Sequence, residues 1–99
     1  MNEVRLRVQL VGRAVLRFTP AGVPALEATL HHRGTVSEAG LPRTLDFEFE
    51  AIALGRAAER LNGAALGCEF DCTGFIAPRS KRTSRLRIHI DTIEPVTGV

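Results

Sequence analysis

The residues of this chain best suited to chemistry are basic and crowded together. Arg79, Lys81, Arg82, Arg85 and Arg87 supply five of the thirteen Lys and Arg residues within nine positions. No Asp or Glu lies between Asp71 and Asp91, so this stretch is strongly positive although the whole chain carries only +2. Guanidinium groups pair planar anions in bidentate fashion, and clustered cations displace counterions from a phosphate chain. The pattern therefore points to an acidic polymer as ligand. A solvated loop tip is the bland alternative, and an Arg-rich composition (twelve Arg to one Lys) is also what a GC-rich genome produces.

Other chemistry is poorly supplied. His31, His32 and His89 lack a second cluster of ligands, and strand alternation puts His31 and His32 on opposite faces. Cys68 and Cys72 sit four apart in a strand-like pattern. That is about 13 Å along a strand, beyond disulfide reach, and the spacing suits no metal. Both read as small buried hydrophobes in a reducing compartment. There is no nucleophile beside a base, no glycine-rich phosphate loop and no acidic metal cluster, so no enzyme, metal or cofactor is expected. Aromatics are scarce, with five Phe and neither Trp nor Tyr. Phe47, Phe49, Phe70 and Phe75 read as core. Phe18, beside the first turn, is a candidate for stacking on a base.

The elements that must carry the basic arm are strands. Val4, Leu6, Val8 and Leu10 alternate with polar residues, Gly12 interrupts, and Val15, Leu16 and Phe18 resume. A glycine inside a long strand marks a bulge or bend. Thr19–Pro24 reads as a turn. Leu26, Ala28 and Leu30 form a second strand ending near Arg33, and residues 34–42, with two glycines and a proline, read as a long loop. Leu45, Phe47, Phe49 and Ala51 alternate with Asp46, Glu48 and Glu50 in a third strand. Gly55–Gly63 is the one convincing helix. Cys68, Phe70 and Cys72 place a fourth strand over Leu66–Ile76, and Leu86, Ile88 and Ile90 a fifth, with Ile93 continuing it weakly.

The expected fold is all-β: a five-stranded Greek-key barrel of the OB type with one short helix between strands three and four. The chain forms one domain over 1–99, with 94–99 a loose tail. The basic arm then occupies the loop between strands four and five, one of the two loops with which OB domains hold oligonucleotides. No signal peptide opens the chain and no apolar run reaches membrane-spanning length, so a cytoplasmic protein without membrane contact is expected.

Gly12-Arg-Ala-Val-Leu-Arg17, Pro20-Ala-Gly-Val-Pro24, Leu30-His-His-Arg33, Glu38-Ala-Gly40, Gly74-Phe-Ile76 and the Leu86, Ile88, His89 pattern recur in one order over nearly the whole chain. In these features the sequence resembles the primosomal replication protein N (PriB) family, OB-fold relatives of bacterial single-stranded-DNA-binding protein. The resemblance implies a homodimer that binds single-stranded DNA and the primosomal helicase, with other primosome proteins as further candidate partners, during replication restart. It carries DNA contact to Lys81, Arg82, Arg85 and Arg33, with Arg79 beside them. Two features depart from the family pattern. An exposed Trp of its best-known members, which stacks on a base, is replaced by Asp46, and the basic loop is about two residues shorter. Loss of a stack costs roughly 1–3 kcal/mol per base, so weak binding is expected.

In an OB barrel strand five lies beside strand three, so Arg85 and Arg87 can pair Asp46, Glu48 or Glu50 instead of DNA. Such exposed pairs contribute only about 0.2–1 kcal/mol each. Arg79, Lys81 and Arg82 would remain free at the tip. Two functions stand side by side. One is a single-stranded-DNA-binding accessory protein of the primosome. The other is an adaptor whose main contact is the helicase, with incidental DNA or RNA binding.

Overall fold

Alternation over Val4–Arg13 builds β1, which buries Val8 and Leu10 and exposes Arg5, Arg7 and Gln9 in the computed structural model, where residues 1–96 are described. The register against its neighbour slips between Leu10 and Gly12, the bulge that the interrupting glycine implies. This bend lets one strand serve two partners. Val4–Gln9 pair with Gly74–Glu69, while Gln9–Arg13 pair with His31–Ala28. A two-residue segment, β2 (Arg17–Phe18), continues the strand opposite Ala25 and Pro24. The turn that follows is closed by the Thr19 N–H donating to the Val23 carbonyl at 2.9 Å, with Gly22 at φ 82°.

β3 (Pro24–Glu38) and β4 (Leu41–Leu54) form one long antiparallel hairpin, paired from Ala25–Leu54 out to Glu38–Leu41. The loop expected over 34–42 is therefore ladder almost to its tip. Ala39 and Gly40, at φ 53° and 78°, make a two-residue turn of the kind that matches strand twist. Gly34 and Pro42 do not break the ladder because they sit on a projecting arm.

Gly55, at φ 67°, turns the chain into α1 (Arg56–Asn62). This helix is too short to persist alone and is held by burial of Ala57, Ala58 and Leu61 against the barrel. β5 (Glu69–Pro78) and β6 (Leu86–Pro95) follow as an antiparallel pair, and β6 runs parallel to β4 through Ala51–Ile88, Ile52–His89 and Ala53–Ile90. The order β1-β5-β6-β4-β3 closes through the β1–β3 pairing. This is the five-stranded OB barrel expected, with its helix between the third and fourth barrel strands; β2 is an extra edge segment.

The core is filled by Leu10, Leu26, Leu30, Leu61 and Cys72, with Phe70, Ile88, Ile90 and Ile93 around them. A fully buried side chain of this size contributes about 1.5–3 kcal/mol. Ile93 joins Ile90 in the core because the β5–β6 register shifts between Thr73 and Gly74, leaving Asp91 as the extra residue. Gly74 is required there: a Cβ would lie 2.0 Å from the His89 carbonyl oxygen. Both cysteines are free, and burial pushes the Cys72 thiol above its ordinary pKa.

Two further expectations need correction. Residues 94–96 are not a loose tail: Glu94 and Pro95 pair with Asp71 and Phe70, and the Val96 N–H donates to Glu69 at 3.1 Å. Residues 97–99 lie outside the described residues. Of the four phenylalanines assigned to the core, only Phe70 is fully buried, and Phe47 is 42% exposed. Alternation gives Phe47 its face correctly, but β3 and β4 project past the barrel there, and Phe47 meets the rings of His32 and Phe49 on its own face while staying partly exposed.

Candidate nucleic-acid interface

Polar side chains of β3, β4 and β6 share the outer face of the barrel, and the arm between Pro78 and Leu86 rises at its edge. The arm is a closed structure. Its base is pinned by the Arg79 N–H donating to the Arg85 carbonyl at 2.8 Å. Ser80 Oγ accepts the Arg82 N–H at 3.3 Å, and Thr83 Oγ1 accepts the Arg85 N–H at 3.0 Å. Serine and threonine thus hold the turn that presents the cations.

Glu50 reaches both ends of this arm. Its Oε2 lies 3.5 Å from Arg79 Nη1 and its Oε1 lies 3.0 Å from Arg85 Nη2. Arg85 was expected to find an acidic partner on this strand, but Arg79 was expected to be free, and it is not. Arg87 also differs. Its partner is Glu27 on β3, at 3.7 Å, rather than a carboxylate of β4. The Arg87 side chain is only 13% exposed, and its Nε has no hydrogen-bond partner among the described residues. Glu27 in turn holds Arg17 Nη2 at 3.0 Å, so it too is shared by two arginines. Lys81 and Arg82 alone in the arm have no ion pair among the described residues; both are exposed at the tip.

Arg33 is exposed on the projecting part of β3, with Nε 3.8 Å from Asp46 Oδ2. Asp46 is chiefly committed to His31, whose Nε2 lies 2.6 Å from Oδ1. That hydrogen bond holds the Asp46 carboxyl below its ordinary pKa. Phe18 is 64% exposed on β2, which β3 and β4 separate from the arm's return strand β6. Its neighbour Arg17 is linked to that side through Glu27 and Arg87. Between them lies a cleft of about 280 Å³, lined by Gly12, Arg13, Ala14, Glu27, Glu50 and Arg87 among others. Sequence reading missed Arg13, Arg17 and Glu27 as members of this surface. Their outward position in strand alternation was the available signal.

The barrel, its polar β3–β4–β6 face and the arm between the last two strands define an OB-fold domain with a basic rim. Residues 2–92 match the family described as "Another single-strand binding protein family". The chain belongs to the replication restart protein PriB family within that group. It is 37% identical over 98 residues to the replication restart protein PriB of Bordetella pertussis, covering 99% of this chain and 92% of that relative. It is 36% identical to the Nitrosomonas europaea protein of the same name, covering 90% of this chain and 82% of that relative. PriB from Ralstonia solanacearum superposes with a TM-score of 0.87 at 35% identity, over 97% of this chain and 99% of that one. The wild-type single-stranded DNA binding protein from Thermus aquaticus shares the fold, with a TM-score of 0.76 at 24% identity, over 99% of this chain and 51% of that one.

Proposed function

We propose that this chain is a single-stranded-DNA-binding accessory protein of replication restart. The observation that carries this reading is the placement of Lys81 and Arg82, exposed and without carboxylate partners among the described residues, at the rim of an OB barrel. Names of the relatives support the process, and the match to a single-strand-binding family supports the ligand. Lys81 and Arg82 make the first contacts with phosphate. Arg33, Arg79, Arg85 and Arg87 extend the track over the β3–β4–β6 face, and Phe18 offers a ring at its far end. Binding follows the backbone and is electrostatic, so it is weak and steeply salt-dependent. The protein acts in the cytoplasm as a homodimer and assists the primosomal helicase.

Polarisation of labelled oligo-dT across a salt series tests this. Affinity should be measurable at low salt and fall linearly on a log–log plot. No binding at the lowest salt sinks the reading.

A second reading is favoured by the number of arginines already held by carboxylates: the helicase is the main contact, and DNA is incidental. Pull-down of the helicase with and without nuclease separates the two. Capture that survives nuclease, together with no detectable affinity for oligo-dT, supports the adaptor.

A further inference from the structure

We propose that Glu50 is a built-in competitor of the DNA backbone: it occupies, in the free protein, the position that a phosphate takes when single-stranded DNA binds. The inference rests on the DNA-binding reading above and goes beyond it by naming what sets the affinity. One carboxylate faces two guanidinium groups, Arg79 at 3.5 Å and Arg85 at 3.0 Å, from the two ends of the same arm. A phosphate diester is also a singly charged anion with two free oxygens, and two arginines can share it in the same way. The arrangement is repeated once nearby, where Glu27 faces Arg17 at 3.0 Å and Arg87 at 3.7 Å. Both carboxylates line the same cleft, between the end of β1 and Arg87 of β6. Four arginines of this face are thus divided between two acids.

The groups are free to exchange. The side chains of Arg79, Glu50 and Arg85 are 41%, 44% and 65% exposed, so their pairs are solvated and weak, and an incoming phosphate can replace the carboxylate without stranding a buried charge. Lys81 and Arg82 capture the strand first, and the shared arginines transfer to it afterwards. The device keeps affinity low and release fast, because the departing strand is replaced by Glu50 rather than by water.

Glu50→Gln tests this, with Glu48→Gln as control, since Glu48 is an exposed acid on the same strand outside both arginine pairs. Removing one charge beside a solvated phosphate should tighten oligo-dT binding about three- to ten-fold at low salt. The salt slope should steepen by no more than about 0.7, the one charge removed, because Arg79 and Arg85 reach phosphate in both proteins. Glu48→Gln should change affinity less than about two-fold and leave the slope alone. Weaker binding by Glu50→Gln would mean that Glu50 positions the arm, and overturns the proposal. Equal tightening by the two variants would mean that general charge is responsible, and overturns it as well. If Glu50→Gln changes nothing while Lys81→Ala with Arg82→Ala abolishes binding, the competitor fails and the DNA reading stands. If no variant binds, both fail.

Discussion

Single side chains divide the basic arm into two kinds of cation. Lys81 and Arg82 face solvent with no acidic partner among the described residues, whereas Arg79 and Arg85 share Glu50. The first kind should carry most of the salt dependence. On single-stranded DNA each phosphate left without its cation lowers the log–log slope by about 0.7, so Lys81→Ala with Arg82→Ala should reduce it by about 1.4 and weaken binding at least about ten-fold at low salt. Polarisation with oligo-dT reads both numbers. Arg33→Ala, whose guanidinium sits 3.8 Å from Asp46, should cost less than either tip residue. Clustering of these cations was legible in the sequence, because charge counts need no fold. Their pairing was not. Which acid meets Arg79 or Arg87 depends on the parallel register of β4 and β6, which places Ala51 beside Ile88, and no local pattern encodes a parallel register.

Among the elements, the β3–β4 hairpin departs most from what its sequence suggests. Gly34, Gly40 and Pro42 look like loop residues, yet only Ala39 and Gly40 form the turn. Ala39 holds φ 53°, a left-handed conformation that costs a residue with a Cβ about 1 kcal/mol. Asn tolerates it, and Asn-Gly is a favoured pair in two-residue turns of this kind. Ala39→Asn should therefore stabilise the fold by about 1 kcal/mol in urea denaturation, with an unchanged m-value. The β5–β6 pair gives the opposite expectation. Gly74→Ala would drive a Cβ to 2.0 Å from backbone that cannot swing aside, and should destabilise by about 3 kcal/mol. Alternation identified every barrel strand, because each has one face in the core. It did not predict burial beyond the barrel, where Phe47 stays 42% exposed beside His32, with ring centroids 5.6 Å apart.

For the molecule as a whole, the pH dependence of stability should have two separate arms. His89 lies on β6 with its ring stacked on Phe75 at 4.8 Å, and its Nε2 has no partner among the described residues. Burial, then the charge of Arg87, lowers its pKa from the ordinary 6.5, while Asp91 acts weakly the other way. The unfolded chain therefore binds this proton at a higher pH than the folded one. The contribution of neutral His89 is fully present above about pH 6.5 and is lost as pH falls from there to the folded value. Asp46 and Asp71 behave differently. Hydrogen bonds from His31 and Arg7 hold them below their ordinary 3.8, so their contribution is complete above about pH 4 and is lost as pH falls from there through their lowered values. Denaturation midpoints measured from about pH 7.5 to 3 should decline first as pH falls below about 6.5, then again below about 4. His89→Phe keeps a ring on Phe75, removes the titrating nitrogen and should flatten only the first decline. If the first decline persists in that variant, a group other than His89 is responsible for it.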